Sequence, residues 1–543
     1  MENCSELNSG LAPARNSGWM LCAFSAVQSV AAVGLAYVTR SVINCAVYGG
    51  DWLKWGGILL ALAALVPALS VIASAYALRV TDRTVCALRT SLLQTLGRKE
   101  YQSVTALHSG AVLSRLMGDC RILTERYTRI VPELARQIVQ LFGAAVTLAL
   151  LHSGLAACVL LLGAIAVAVG YGVRRKLKPL HAEVRSRGED LTAVLTEQLE
   201  QNELLRCAAD GSLALERVEQ RQERWYTARR RLLRFSLTSS TLFSFFIRIT
   251  SAVLVLWGAY RIGTGTMTFG DFTAMLQLVA LFRAPVSALT GAQNRLAASD
   301  AARDRLEALY DLPEEPKLPM PKGSIVPKAL IFENVTFSYE AEEAPVFENF
   351  SAEIDLRHWT CLVGMSGRGK STLYRLILGL YRPQSGRIYL RTDRGEFPVS
   401  ASSRRLFAVV PQTPVLFSGT VRENLLLFAP DASDETIAAA LARAKCDFVD
   451  ALPNGLDTVI GQFGEGLSVG QRQRLSVARA LLTPSRILLL DEITSALDGE
   501  NAAALVDALL AHCDAAIFST HHPELLEGRG ADTLCLEGHD GTD

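Results

Sequence analysis

Apolar residues gather in the first half of the chain into six long runs, at about 19–47, 55–80, 131–151, 155–173, 235–260 and 272–289. About 20 apolar residues in a helix cross a hydrocarbon layer of ~30 Å, so the pattern predicts six membrane spans. Glu133 and Arg136 interrupt the third run and Arg283 the sixth. Trp19, Trp55 and Tyr260 stand near run ends, where amphipathic rings suit the headgroup layer. The intervening segments alternate in length. Those at 49–50, 152–154 and 261–268 are short, whereas 81–130 and 174–234 are long. The stretches 191–205 and 213–225 are rich in Leu, Glu, Gln and Arg and lack Pro, which predicts helices continuing beyond the membrane.

Past residue 310 the pattern changes. Pro313, Pro316, Pro319, Pro321 and Pro327 preclude regular helix and mark an extended linker. Short β-rich runs then alternate with helical ones, as at 329–337, 360–363 and 487–490, which predicts an α/β domain. The expected division is a helical membrane domain at 1–310, a linker at 311–327 and an α/β domain at 328–543.

Charge fixes the orientation. The long segments hold Arg89, Arg98, Lys99, Arg126, Arg174-Arg175-Lys176 and Arg229-Arg230-Arg231. Basic loops stay on the cytoplasmic side, so both long segments, both termini and the α/β domain are expected there, in a multi-pass protein of the plasma membrane. Over the 543 residues, 54 Lys and Arg balance 54 Asp and Glu, which argues against a nucleic-acid partner. A hydrophobic share of 50% and a mean hydropathy of +0.23 agree with a bilayer location for the excess apolar residues. The 11 cysteines form no CxxC pair and read as reduced, with no disulfide framework or zinc site. Glu2 and Glu6 ahead of Arg15, and the length of the first run, do not fit a secretory signal.

The chemistry lies in the second half. Gly364-Met365-Ser366-Gly367-Arg368-Gly369-Lys370-Ser371 matches G-x-x-x-x-G-K-[ST], entered by an apolar run and left through a helix that starts near Thr372. Glycines let the backbone wrap phosphates and aim N–H groups at them, and the helix N-terminus adds partial positive charge. Lys370 is placed for the β- and γ-phosphates and the Ser371 hydroxyl for Mg²⁺. The apolar strand 487–490 ends in Asp491 and Glu492. Asp491 suits Mg²⁺, and Glu492 suits the general base that polarises an attacking water.

The order of motifs resembles the ATP-binding cassette (ABC) proteins. Leu467-Ser468-Val469-Gly470-Gln471 is similar to the family's LSGGQ signature, Ser495-Ala496-Leu497-Asp498 to its D-loop, and Thr520-His521 to its switch histidine. Gln412 resembles the Q-loop glutamine, a further Mg²⁺ candidate, and Tyr339 the aromatic that stacks on adenine. With the six runs, the chain resembles an exporter-type (type IV) half-transporter: a six-helix all-α transmembrane domain fused to an α/β P-loop cassette. The resemblance implies ATP and Mg²⁺ as cofactors. It also implies two cassettes sandwiching ATP head to tail, with Ser468, Gly470 and Gln471 serving the partner's nucleotide and Glu492 and His521 catalytic. It places coupling helices at 108–119 and at the turn 208–212.

Three positions depart from the family pattern. Val469 replaces a signature glycine, Gln462 stands where exporters commonly carry Glu, and Arg368 adds bulk to the phosphate loop. An altered signature beside an intact Glu492 and His521 fits one half of an asymmetric heterodimer; a homodimer is the alternative. A soluble two-cassette protein is excluded by the six runs. An importer of exporter fold and an ATP-gated or regulatory subunit remain open, since fold does not give direction. Arg40, Arg136, Arg248 and Arg283 fall in or near the runs. Arg40 and Arg136 are expected to snorkel, with Glu133 pairing Arg136; Arg248 and Arg283 are expected to make the pathway electropositive, for an anionic solute.

Overall fold

The computed structural model describes residues 3–536 apart from 108, 208–211, 317, 319, 321–324, 340–343, 366, 486 and 496. The chain divides into two compact units: residues 1–97 with 108–311, and residues 98–107 with 312–543.

The described residues of the first unit are helical but for short turns. Helices α1 (Asn3–Tyr48) and α2 (Trp52–Leu96) carry the first two apolar runs, and α3 (Tyr101–Thr105) belongs to the second unit. A third rod joins α4 (Ser109–Ser114), α5 (Cys120–Glu125) and α6 (Val131–Leu151) through wide π turns at Arg115–Asp119 and Arg126–Ile130. Then come α7 (Ser153–Glu200), α8 (Asn202–Cys207), α9 (Ser212–Gly263), α10 (Phe269–Leu281) and α11 (Arg283–Tyr310). Among the described residues, Glu6–Tyr48, Trp52–Leu96, Ser109–Leu151 and Ala214–Gly263 are long and apolar enough to cross a bilayer. The fourth run lies in α7, and the sixth is divided at Phe282 between α10 and α11. Pro285 accounts for that break, because it has no N–H to give the carbonyl of Leu281.

One core ties the rods together. Val33 and Ala36 of α1, Ala144 and Leu148 of α6, and Met275 and Leu278 of α10 are all buried in it. Thr268 and Asp271 cap α10 reciprocally. Arg136 pairs with Glu133 at 2.7 Å, as their spacing predicts. Arg40 does not snorkel freely: its guanidinium is paired with Asp271 across 231 residues of sequence. Arg248 is exposed on α9, and the Arg283 side chain and residues 208–211 lie outside the described residues.

The long segment 81–130, expected to hold the first coupling helix, is shared between the two units. Residues 109–119 continue the third rod of the first unit, whereas 98–107 group with the second. The physical reason is a local exchange of backbone bonds. The Glu100 N–H donates to the Pro313 carbonyl and the Glu315 N–H to the Arg98 carbonyl, both at 2.9 Å. The Tyr101 ring then meets Tyr381 edge-on at 5.7 Å, and Arg382 lies 3.5 Å from Glu100.

The second unit has two main sheets. β1 (Pro327–Phe337), β2 (Phe347–Asp355), β4 (Ser385–Thr392) and β5 (Gly395–Pro398) form an antiparallel sheet in the order β2-β1-β4-β5. β3 (Trp359–Val363), β6 (Phe407–Val410), β9 (Ile487–Asp491), β10 (Ala516–Ser519) and β11 (Asp532–Cys535) form a parallel sheet ordered β11-β3-β10-β9-β6. A two-residue pair, β7 (Gly419–Thr420) and β8 (Val459–Ile460), lies apart.

Alternation along the parallel strands sorts side chains onto two cores. Leu488, Leu490 and Phe518 enter one with α13 (Val421–Leu426), α14 (Asp434–Arg443), α15 (Val469–Leu482) and α16 (Gly499–Leu510). Ile487, Leu489 and Ile517 enter the other with α12 (Lys370–Ile377) and the antiparallel sheet. Both faces of the parallel sheet are therefore covered, and its strand ends carry the polar groups. The linker is tied down by Arg404, which holds both Glu315 carboxylate oxygens and the Leu378 and Gly379 carbonyls.

Candidate nucleotide site

The site forms where β3, β9 and β10 end side by side. β3 runs into the loop 364–369, where Gly367 and Gly369 take φ of +83° and +87°. A side chain at Gly369 would meet the Phe347 ring at 2.8 Å, so glycine is required there for space as well as for φ. The turn releases α12 with Lys370 at its first position and only 5% exposed. The Lys370 ammonium donates to the Gly364 carbonyl at 3.1 Å, closing the loop on itself.

β9 delivers Asp491 and Glu492 opposite that loop. The Ser371 hydroxyl donates to Asp491 at 2.9 Å. Ser519, at the end of β10, donates to the other Asp491 oxygen at 2.6 Å. Glu492 has φ of +50°, an uncommon conformation for a non-glycine residue. It is held by its N–H bonding Ser519 and by its carbonyl accepting from Gln473 and Ser495. Its carboxylate lies 3.1 Å from Lys370, 3.0 Å from His521 and 2.7 Å from the Gln412 amide nitrogen. Three residues of distant sequence thus converge on one carboxylate.

Beneath them Tyr374 donates its hydroxyl towards the Leu490 and Ile517 carbonyls, at 2.9 and 3.0 Å. Complete burial pushes its ionisation well above the usual phenol range, so it remains a neutral donor tying β9 and β10 to α12.

Ser371, Asp491 and the Gln412 amide oxygen, whose nitrogen is engaged with Glu492, are hard oxygen donors. Mg²⁺ takes such a set, with one carboxylate completed by phosphate oxygens and water. The donor chemistry fits that ion, and the contact between Ser371 and Asp491 already brings two donors together.

Tyr339 packs edge-on against Phe337 and Tyr381, while its hydroxyl meets Thr372 at 2.8 Å and accepts from Arg375 at 2.7 Å. Met365 is exposed, Arg368 is half-buried, and Ser366 is outside the described residues. Ser468 is the N-cap of α15, in a reciprocal capping box with Gln471. Val469 occupies the first helical position, its side chain half-exposed, with Gly470 next. Asp498 is the exposed N-cap of α16. Among the described residues, no hydrogen bond or ion pair joins Ser468, Gly470, Gln471 or Asp498 to the Glu492 group. Gln462 is exposed, in a turn where Gly464 has φ of +79°.

Ser519, Tyr374 and Gln473 escaped sequence reasoning. Ser519 had a signal: it directly precedes Thr520-His521 at the end of an apolar run.

Comparison with known proteins bears on both units. Residues 347–495 match the family model for the ABC transporter, and residues 19–286 match that for the ABC transporter transmembrane region. The ABC multidrug transporter mdr2 of Aspergillus fumigatus is 32% identical over 476 residues, covering 85% of this chain and 59% of that protein. The mycobactin import ATP-binding/permease protein IrtB of Mycolicibacterium thermoresistibile is 32% identical over 397 residues, covering 70% of this chain and 68% of that protein. The chain spans only 50–59% of the first curated relatives it matches. The structure of a bacterial Atm1-family ABC exporter with ATP bound superposes with a TM-score of 0.76 at 22% identity, covering 98% of this chain and 94% of that one, which establishes the shared fold.

Proposed function

Because this chain belongs to the ABC transporters, with their transmembrane region and ATP-binding domain fused on one polypeptide, we propose that it is one half of an ATP-driven membrane exporter. The observation that carries this reading is the Glu492 carboxylate gathered with Lys370, His521 and Gln412 at the mouth of the phosphate loop. Lys370 and the loop N–H groups hold the β- and γ-phosphates, and Tyr339 stacks on adenine. Ser371, Asp491 and Gln412 hold Mg²⁺, which supplies charge neutralisation on the phosphates when bound. Glu492 takes the proton of the attacking water, and His521 steadies that carboxylate and the γ-phosphate.

A second chain completes the machine. Among the described residues, Ser468, Gly470 and Gln471 have no hydrogen bond or ion pair to this chain's own Glu492 group, which suits a role on the partner's nucleotide. Val469 points a branched side chain to the surface beside Ser468, where it crowds that nucleotide. We therefore favour a heterodimer in the plasma membrane, with the cassettes and termini cytoplasmic, in which this chain's phosphate loop builds the hydrolysing site. Co-purification with the partner tests this. Lys370→Ala should stop turnover, and Val469→Gly should act on the partner's site. A purified chain forming a homodimer with two equivalent active sites would overturn the heterodimer. Import is the second reading, favoured by the likeness to the mycobactin importer. Accumulation rather than loss of solute from cells on ATP hydrolysis would establish it.

A further inference from the structure

The first unit holds a cavity of about 780 Å³ between α1, α2, the third rod and α11. That is the size of a site for a small organic molecule rather than for a polymer. One wall is the α2 face carrying Ser70, Ala73, Ser74 and Ala77, which repeats at helical spacing and presents small side chains alternating in polarity. Across from it the lining is charged, with four arginines against two glutamates.

The pairing within that lining decides its sign. Glu125 is bonded to Arg121 one turn away at 3.0 Å. Glu133 accepts two bonds from Arg136, at 2.9 and 2.7 Å, and one from Gln137. Both carboxylates thus take their hydrogen bonds from their own helices, and Glu133 also feels the charge of Arg295 on α11. Arg129, on the π turn ahead of α6, makes no ion pair among the described residues, and Arg295, on α11, acts on Glu133 only through space, with no hydrogen bond to it. Two guanidiniums on separate elements therefore face one cavity with no hydrogen bond to an acid among the described residues, in a lining that holds four arginines against two glutamates. An acidic side chain is the usual answer to such a pair, and the lining provides no free one.

We infer that this cavity binds a small organic anion, whose carboxylate or phosphate group is held between Arg129 and Arg295 while its remaining bulk lies on the α2 face. Guanidiniums on opposing elements give a forked, charge-assisted clamp for such a group. The hydroxyls of Ser70 and Ser74, with Gln28, offer neutral hydrogen bonds to the rest of the solute.

The inference rests on the transporter reading, but its test contains no ATP, so failure of the nucleotide-site assignments leaves the outcome unaffected. The full chain, with its partner, is placed in phosphatidylcholine nanodiscs and titrated with carboxyfluorescein, an anion, and rhodamine 123, a cation of related skeleton. Fluorescence anisotropy should show saturable binding of carboxyfluorescein. The Arg129→Gln/Arg295→Gln double variant should bind it at least about tenfold more weakly, the scale of a lost charge-assisted bond. Arg129→Lys/Arg295→Lys, which keeps both charges but loses the forks, should bind more weakly than the parent yet more tightly than the Gln double variant, which separates lost charge from lost folding. Addition of phosphatidylglycerol distinguishes sources: displacement of the dye assigns the site to an anionic lipid headgroup, and no displacement assigns it to a soluble solute. Absence of saturable carboxyfluorescein binding, equal affinity in the Gln double variant, or tighter rhodamine than carboxyfluorescein binding by the parent would overturn the inference.

Discussion

Replacing Glu492 by Gln removes one negative charge and leaves the shape of the side chain. In the structure that charge faces the Lys370 ammonium at 3.1 Å, with the two side chains 5% and 11% exposed. A buried pair that loses one partner costs about 3–5 kcal/mol when nothing compensates. Here compensation is partial. Lys370 keeps the Gly364 carbonyl, the glutamine still offers an oxygen, and His521 admits water. About 1–3 kcal/mol is therefore expected, the value of a hydrogen bond to a charged group. For a unit of this size it lowers the unfolding midpoint by roughly 2–10 °C. The catalytic effect is larger. Loss of a positioned general base lowers turnover by about 10²- to 10⁴-fold, whereas ATP binding, which uses Lys370 and the loop N–H groups, persists. The two readouts are phosphate release by the protein with its partner and thermal unfolding of the same preparation. Turnover within about threefold of the parent would refute the general-base assignment. An unchanged unfolding midpoint would refute the account of the Lys370 pair.

Two further outcomes follow from local geometry. Gly369→Ala should destabilise the protein by about 2–4 kcal/mol, because it combines a left-handed φ with an approach to the Phe347 ring; Gly367→Ala, with open space around it, should cost only about 1–2 kcal/mol. Equal unfolding midpoints for the two variants would contradict this. Burial pushes the Cys446 thiol from its ordinary 9.0 up to about 12. A raised folded-state value means that this contribution to stability is intact below pH 9 and is lost as pH rises from there towards 12. Melting curves between pH 8 and 11 should therefore fall more steeply for the parent than for Cys446→Ala, and parallel curves would contradict it.

What was legible in the sequence was what local chemistry writes there. The phosphate loop announces itself because its glycines, lysine and serine must be contiguous to wrap an anion. Apolar runs show because each membrane-spanning segment must be apolar along its whole length. Pairings across the chain leave no such mark. Nothing near Arg40 points to Asp271, and nothing near Arg404 points to Glu315. The segment 98–107 reads as an ordinary polar connection, and only its backbone exchange with 313–315 assigns it to the second unit. The arginines of the cavity leave no such mark either: Arg129 and Arg295 lie outside the apolar runs and reach a common space only through the fold.

The central claim is that this chain's own phosphate loop and Glu492 hydrolyse ATP within a membrane-embedded dimer. Vanadate trapping of photoreactive 8-azido-ATP tests it most directly, because label is retained only on a chain whose site has turned over. Membranes expressing the full chain with its partner should trap label on this polypeptide in a Mg²⁺-dependent manner, and Lys370→Ala and Glu492→Gln should abolish it. No trapping on the parent chain, or undiminished trapping in Lys370→Ala, would contradict the account.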